Sequence, residues 1–136
     1  MPNYWLIKSE PFKYSWDDLN RDGETVWDGV RNHRAANNLR EMQKGDQCFF
    51  YHSNKGLEIV GIVEVSEDGL IDPTDAEGKW PTVKVKPVRA VENPVTLKAI
   101  KANPELVGIE LVRLSRLSVA EITAEEWQKI IAMSEA

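Results

Sequence analysis

The apolar residues of this chain come in short segments, and each segment is soon followed by Pro, Gly or a polar turn. YWLI at residues 4–7 is followed by Pro11, and FFY at residues 49–51 is followed by Gly56. Continuous apolar runs of this length are typical of strands that are buried on both faces. None of them approaches the ~20 residues that a helix needs to cross a bilayer. We therefore expect no membrane segment.

The length and composition indicate one soluble domain. The 136 residues are 42% hydrophobic and 29% charged, and a chain of this size buries a core without disulfide or metal support. The N-terminus MPNYWLIKSEP lacks the basic and long apolar regions of a secretory signal, and Cys48 is the single cysteine. We expect one domain over residues 1–136, a monomer without cofactor, in the reducing cytoplasm.

The spacing of polar and apolar residues predicts about five strands in irregular order with helices. A short connection with Gly56 joins two of the strands as a hairpin. Gly61 interrupts the second of these strands, and a bulge there would help the sheet to curl. The acidic segment 68–79 is predicted to be a loop. The predicted strands span residues 4–9, 47–53, 57–67, 82–88 and about 111–117.

Capping residues and helical spacing predict the helices. Ala35, Leu39 and Met42 share one face, which we assign to the core. Together with the strands, the helices indicate an α+β domain in which a curled mixed sheet has helices packed at its edges. The predicted helices are a short turn capped by Ser15 and Asp18, a helix over residues 31–43 that stops near Gly45, a short helix over residues 96–101 and a last helix capped by Thr123 and Glu126.

A metal site at Cys48 and His52 is excluded by the predicted strand. Four residues of a strand span about 13 Å, whereas ligands of one zinc ion must each lie about 2 Å from it. The chain also has no nucleophile elbow, no HExxH and no phosphate-binding loop. These absences favour binding over catalysis as the function class.

The net charge of −5 argues against a protein that coats many phosphates. The distribution is uneven, because residues 30–56 carry five basic and two acidic side chains, whereas residues 64–79 carry six acidic side chains and one Lys. An acidic body with a local basic region fits a small anionic contact.

The segment VWDGVRNHRAANNLREMQKGD at residues 26–46 is unusually rich in Arg and Asn. The spacing of Arg31, Arg34 and Asn38 predicts that they share one helix face. Asn offers a donor and an acceptor to a base edge, and Arg offers a bidentate fork to a phosphate or a base. Two plainer interpretations stay open, namely that Asn32 is only the N-cap of the helix and that Asn37 is only solvated.

Two tryptophans lie outside any apolar period. Trp27 precedes Asp28-Gly29, and Trp80 lies between Lys79 and Pro81. Each is either a loop aromatic packed on the edge of the core or a flat wall for a planar ligand, since stacking of a base on an aromatic ring contributes about 1–3 kcal/mol.

Several motifs together resemble the EVE domain family: YWLIKSEP at 4–11, WDGVRNHRAANNLREMQKGD at 27–46, FFYHS at 49–53, GIVEV at 61–65 and RLSV at 116–119. The resemblance covers nearly the whole chain. It implies a PUA-like fold, a curled mixed β-barrel flanked by helices and akin to the YTH and ASCH domains. It also implies a non-catalytic domain that recognises a modified nucleobase, chiefly modified cytosine in DNA.

Carried onto this sequence, the resemblance implies a concave base-binding pocket. Its implied residues are Lys8, Ser9, Trp27, Gly29, Arg31, Asn32, Asn37, Asn38, His52, Ser53, Leu117 and Ser118, to which we add Trp80.

In the predicted mechanism the base either flips out of the duplex or belongs to a single-stranded substrate, because a stacked base hides its faces. Trp27 and Trp80 would sandwich it, Asn32, Ser53 or His52 would contact its edge, and Arg31 and Lys8 would hold a phosphate.

Three alternatives remain at this stage. The first is an RNA-binding module for a modified RNA base. The second is an enzyme acting on modified nucleotides through Glu10, Asp28 and His52. The third is a protein-interaction module that uses the strand around residues 83–91.

Overall fold

The computed structural model describes residues 3–136, and within this range the chain forms six strands and five α-helices. The strands are β1 (Tyr4–Ser9), β2 (Thr25–Val26), β3 (Gln47–His52), β4 (Glu58–Ile71), β5 (Pro81–Thr96) and β6 (Val119–Ile122). The helices are α1 (Trp16–Asp22), α2 (His33–Glu41), α3 (Leu97–Ala102), α4 (Glu110–Arg113) and α5 (Ala124–Glu135), with a 3-10 turn at Pro104–Leu106.

All six strands belong to one mixed sheet in the order β2-β5-β4-β3-β1-β6. The interior strands β1 and β3 are parallel, and the other neighbouring pairs are antiparallel. The predicted α+β class, a mixed sheet flanked by helices, is therefore confirmed.

Apolar side chains cover both faces of these interior strands. Along β1, Trp5 and Ile7 belong to one core cluster and Leu6 to the other. Helix α2 contributes Leu39 to the first cluster, and α5 contributes Trp127 to the second. This two-sided burial explains why β1 and β3 read as continuous apolar runs instead of alternating ones.

Several predicted boundaries agree with the structure and two predictions are wrong. Helix α2 starts at His33 because Asn32 caps it, and it ends at Glu41, before Gly45. The segment 68–79 is not entirely loop, because β4 continues to Ile71.

The predicted strand at about 111–117 is also wrong. Residues Glu110–Arg113 form α4, and the last strand is Val119–Ile122, which pairs with β1. The buried carboxylate of Glu110 explains the difference, since it accepts hydrogen bonds from the Glu121 backbone N–H at 3.0 Å and from Arg34 at 3.0 Å. These bonds hold α4 beside the edge strand.

Gly61 allows an aromatic ring to lie directly on the sheet. The pairing of β4 shifts register between Ile59 and Gly61 against both of its neighbours, which confirms the predicted irregularity. A Cβ atom at Gly61 would lie 2.4–2.6 Å from three ring atoms of Trp16. The Trp16 ring also packs against Phe50, with 5.5 Å between the ring centroids.

In the described residues, no helix has both the length and the apolar character required to cross a membrane.

We predict that Gly61→Ala lowers the free energy of unfolding by about 1–3 kcal/mol, the usual range for overpacking a core. The added methyl group would displace the Trp16 ring. Urea denaturation would measure the change. Gly108→Ala is the matched control, because no atom lies within 4 Å of a Cβ built there. Equal stability of the two variants would contradict the assigned packing.

Candidate nucleic-acid site

A cavity of about 790 Å³, which we call the main cavity, opens beside the carboxyl end of β1. Three parts of the chain form it: the end of β1 with the turn after it, the segment from β2 to the start of α2, and the loop before β6. Its lining residues are Lys8, Ser9, Glu10, Lys13, Tyr14, Thr25, Val26, Trp27, Asp28, Gly29, Val30, Arg31, Asn32 and Ser118.

Trp27 belongs both to the core and to the wall of this cavity. The residue is 9% exposed, and its ring meets Phe50 edge-on, with 5.8 Å between the centroids. Its backbone is fixed to β5, because the Trp27 N–H donates to the Val83 carbonyl at 2.9 Å and the Thr82 hydroxyl donates to the Trp27 carbonyl. The indole is therefore held in place before any ligand arrives.

Asp72 anchors the cavity rim from a distant loop. Its carboxylate accepts hydrogen bonds from the Gly29 N–H at 2.8 Å, from Arg31 Nη1 at 2.9 Å, and from the backbone and hydroxyl of Thr74. Gly29 has φ +83°, a conformation that L side chains rarely adopt. The segment 28–31 is thus fixed by a single buried carboxylate.

The same hydrogen bonds control the acidity of Asp72. Burial alone would raise the pKa of this carboxyl, but the bonds from Thr74, Arg31 and Gly29 outweigh burial and lower the pKa to about 2. The carboxylate is 1% exposed, so it stays charged because its partners replace water.

The side chain of Asn32 caps helix α2 with its oxygen, which leaves its amide nitrogen as a donor for a ligand. Its side-chain oxygen accepts from the Ala35 N–H at 2.9 Å, which makes it the N-cap of α2. Its amide nitrogen is a donor beside the cavity, whose lining includes Asn32.

The predicted shared face of Arg31, Arg34 and Asn38 is wrong. Arg31 precedes α2 and bonds Asp72, whereas Arg34 pairs with Glu110 at 3.0 Å. Asn38 is buried and donates to the Val119 carbonyl at 2.7 Å. Asn37 accepts a hydrogen bond from Arg40 on the exposed side of the helix. The structure therefore does not bring Asn37 or Asn38 to the main cavity.

A second cavity of about 560 Å³, which we call the polar cleft, adjoins the first. It shares three residues with the main cavity, and it contains Ser53 from the predicted site. Its lining residues are Lys8, Glu10, Ser53, Asn54, Ser115, Arg116 and Ser118.

Lys8 lies at the boundary between the two cavities. Its ammonium donates to the Ser115 carbonyl at 2.8 Å and lies 5.9 Å from the centroid of the Tyr51 ring. Burial lowers the pKa of Lys8.

His52, Trp80 and Leu117 lie outside the main cavity. His52 accepts a hydrogen bond at Nε2 from the Trp16 N–H, and burial lowers its pKa, which favours the neutral ring. Trp80 stacks on His33 at 5.1 Å and has the Arg31 guanidinium 5.5 Å from its centroid. Leu117 is 6% exposed and belongs to the core. The geometry therefore does not place Trp80 opposite Trp27.

The structure adds lining residues that the sequence prediction missed. Asp28 and Val30 lie inside the motif at 27–46, and Arg116 begins the motif at 116–119, so each could have been proposed. Lys13 and Tyr14 follow the YWLIKSEP motif in a turn whose path the sequence did not indicate. Glu10 and Asp28, named for the enzyme alternative, both line the main cavity, but His52 does not join them.

Among residues 3–136, no group of three or more His, Cys, Asp or Glu side chains is placed to hold a metal ion. Cys48 is buried in β3, and burial raises the pKa of its thiol.

The sequence model of the EVE domain matches residues 3–133 of this chain. The chain belongs to the EVE domain family. Thymocyte nuclear protein 1 of Rattus norvegicus is 34% identical over an alignment of 170 residues, which covers 100% of this chain and 75% of the rat protein.

Solved structures of similar proteins have the same fold. The NMR structure of Rpa0253 from Rhodopseudomonas palustris has 47% sequence identity and a TM-score of 0.94, and the match covers 98% of this chain and 93% of that chain. The crystal structure of human THYN1 protein in complex with 5-methylcytosine containing DNA has 30% identity and a TM-score of 0.92, with 98% of each chain covered.

A more distant likeness supports the fold alone. The Pho92 YTH domain, solved in complex with m6A, has 17% identity and a TM-score of 0.58, with 99% of this chain and 84% of that chain covered. Together with the EVE relatives, this likeness confirms the predicted PUA-like fold.

We predict that the Asp72 carboxylate makes stability depend on pH at the acid end. Because its folded pKa of about 2 lies below the usual 3.8, its contribution is complete well above pH 4 and is lost as the pH falls toward 2. The loss amounts to roughly 2 kcal/mol.

Urea denaturation at several pH values between 7 and 3 would test this prediction. We expect Asp72→Asn to be less stable at pH 7 and to lose less stability on acidification than the wild type. Glu92→Gln, at an exposed carboxylate of β5, is the control and should follow the wild type. If the free energy of unfolding fell equally with pH in the wild type and in Asp72→Asn, the assigned role of Asp72 would be contradicted.

Proposed function

We propose that this protein binds nucleic acid that carries a modified base, with 5-methylcytosine in DNA as the preferred ligand and without chemical change to it. The observation that carries the proposal is the convergence on the main cavity of a fixed indole, both donors and acceptors for a base edge, and cationic side chains. The human relative solved with 5-methylcytosine DNA supports this choice of ligand.

The main cavity has room for a flat base together with part of its sugar. Its volume of about 790 Å³ falls in the usual range for small-molecule sites. Trp27 would stack on one face of the base. The geometry does not support a second wall from Trp80, so we propose stacking on Trp27 alone. A base in a duplex must be extruded to enter, at a cost of a few kcal/mol.

Asp28 and Asn32 complement the edge of cytosine. Carboxylates accept hydrogen bonds from the exocyclic amino group of cytosine, and among residues 3–136 the Asp28 carboxylate has no hydrogen bond or ion pair that would compete. The Asn32 amide nitrogen would donate to the ring nitrogen or carbonyl. Val26 and Val30 are the apolar side chains that a C5 methyl group would contact.

The expected preference for 5-methylcytosine over cytosine follows from the contact with the methyl group. A single methyl group in an apolar site contributes about 1–3 kcal/mol, so we expect discrimination of about tenfold to a few hundredfold over cytosine. The edge contacts are common to both bases and provide affinity without discriminating between them.

We predict that ligand binding quenches the fluorescence of Trp27 specifically. Matched oligonucleotides carrying cytosine, 5-methylcytosine, 5-hydroxymethylcytosine or N6-methyladenine, in DNA and in RNA, would be titrated. Trp27→Phe should abolish the quenching and weaken binding by about tenfold, because a smaller ring stacks less well. Trp80→Phe is the matched control and should retain both the quenching and the wild-type affinity.

Equal binding of all oligonucleotides would contradict the proposed selectivity, and a preference for N6-methyladenine in RNA would favour the RNA alternative. Nucleoside analysis of the recovered oligonucleotide tests the enzyme alternative, since a changed base would contradict the proposal.

We predict that Asp28→Ala weakens binding of cytosine-type ligands by about tenfold, the cost of a lost base-edge contact. Charge alone predicts the reverse, because removal of an anionic group beside a polyanion should strengthen binding. Glu24→Ala is the charge-matched control, since Glu24 does not line the main cavity. A gain of affinity in both variants would show that Asp28 acts only as a charge.

A further inference from the structure

We propose that the polar cleft binds the phosphate next to the recognised base, with Arg116 as the main phosphate ligand and Lys8 as its neighbour. This inference rests on the proposed function, because it requires a nucleotide in the main cavity. It assigns a residue outside the predicted site and gives the path by which the strand leaves the base pocket.

The position of the cleft supports the assignment. The main cavity and the polar cleft share Lys8, Glu10 and Ser118. A base in the first cavity would therefore have its sugar and phosphate close to the shared boundary.

The chemistry of the cleft fits a phosphodiester. Two cations line it, Lys8 and Arg116, together with three serine hydroxyls and the Asn54 amide. Its one carboxylate, Glu10, is paired with Lys13 at 3.2 Å. Cationic and hydroxyl groups are the usual partners of phosphate oxygens in nucleic-acid complexes.

Arg116 differs from the other arginines of the described residues. Arg21, Arg31, Arg34 and Arg113 form ion pairs, and Arg40 and Arg89 donate hydrogen bonds to oxygen atoms of their own chain. Within residues 3–136, neither kind of partner is found for Arg116. Its guanidinium is thus available to a ligand without loss of an internal contact.

The loop that carries Arg116 is held in place from both sides. Lys8 donates from its side chain to the Ser115 carbonyl at 2.8 Å and from its backbone to the Ser118 carbonyl at 3.0 Å. The Leu117 N–H donates to the Leu114 carbonyl at 2.9 Å. A fixed loop reduces the ordering cost of binding, as preorganisation does in general.

The test compares Arg116→Ala with Arg89→Ala, which removes the same charge from the exposed side of β5. Affinity for the preferred modified oligonucleotide would be measured by fluorescence anisotropy at several salt concentrations. We expect Arg116→Ala to bind about tenfold more weakly and to reduce the salt slope by about one. The ratio of modified to unmodified affinity should stay unchanged, and Arg89→Ala should match the wild type.

Neutral methylphosphonate linkages provide the decisive readout. One linkage at a time, on either side of the modified base, would replace the charged phosphate. At one of these positions the substitution should weaken wild-type binding by about tenfold and leave Arg116→Ala binding unaffected. A merely structural role of Arg116 would not produce this coupling.

The outcomes separate the two proposals. Selective binding by the wild type together with equal behaviour of Arg116→Ala and Arg89→Ala would overturn the phosphate assignment and leave the proposed function intact. If the losses of affinity caused by Arg116→Ala and by the methylphosphonate substitution were additive at every linkage, the phosphate assignment would also be overturned. A changed ratio of modified to unmodified affinity would overturn it as well. A wild type without preference for any modified oligonucleotide would overturn both.

Discussion

The parallel pairing of β1 with β3 is the interaction on which the rest of the structure depends. Six residue pairs, from Tyr4 with Gln47 to Ser9 with His52, form this ladder in the interior of the sheet. Both strands are covered by core residues on both faces, so their register cannot slip without exposing apolar side chains. Because the strands are parallel, their carboxyl ends lie side by side. Lys8 and Ser9 thereby meet Ser53, whose N–H donates to the Ser9 carbonyl at 2.9 Å.

The site is completed by chain segments that are distant in sequence. Asp72 reaches back 43 residues to Gly29 and 41 residues to Arg31, and Lys8 reaches forward 107 residues to Ser115. Each bond involves a charged group, and bonds of that kind are stronger than neutral ones. The cavity rim is therefore part of the folded core and not a flexible attachment to it. A rigid rim of this kind is what the proposed discrimination of one methyl group would require.

The local elements could be predicted from sequence because their signals are local. The continuous apolar run at 4–9, the Ser15 and Thr123 capping boxes and Gly61 each depend on neighbours within a few residues. The strand predicted at about 111–117 failed because the path there depends on a buried Glu110, whose partners Arg34 and Glu121 come from other elements.

The site was predicted only in part for the same reason. Seven of the predicted residues line the main cavity, and all seven lie in family motifs. They are Lys8, Ser9, Trp27, Gly29, Arg31, Asn32 and Ser118. Asn38 was assigned to the site by the family resemblance, and its amide could contact a base edge, yet the fold uses that amide to bind the Val119 carbonyl. Residue type indicates what a side chain can bind, whereas only the fold decides which partner it meets. The roles of the cavity-lining residues in binding stay predictions.

The most direct measurement of the central claim is a map of backbone amide chemical shifts by two-dimensional NMR during titration with an oligonucleotide that carries one 5-methylcytosine. We expect the largest changes at residues 8–10, 25–32 and 115–118, and we expect the unmodified oligonucleotide to produce them only at higher concentration. Changes centred on the separate groove that Gly56, Leu57, Lys98 and Lys101 line would contradict the proposed site.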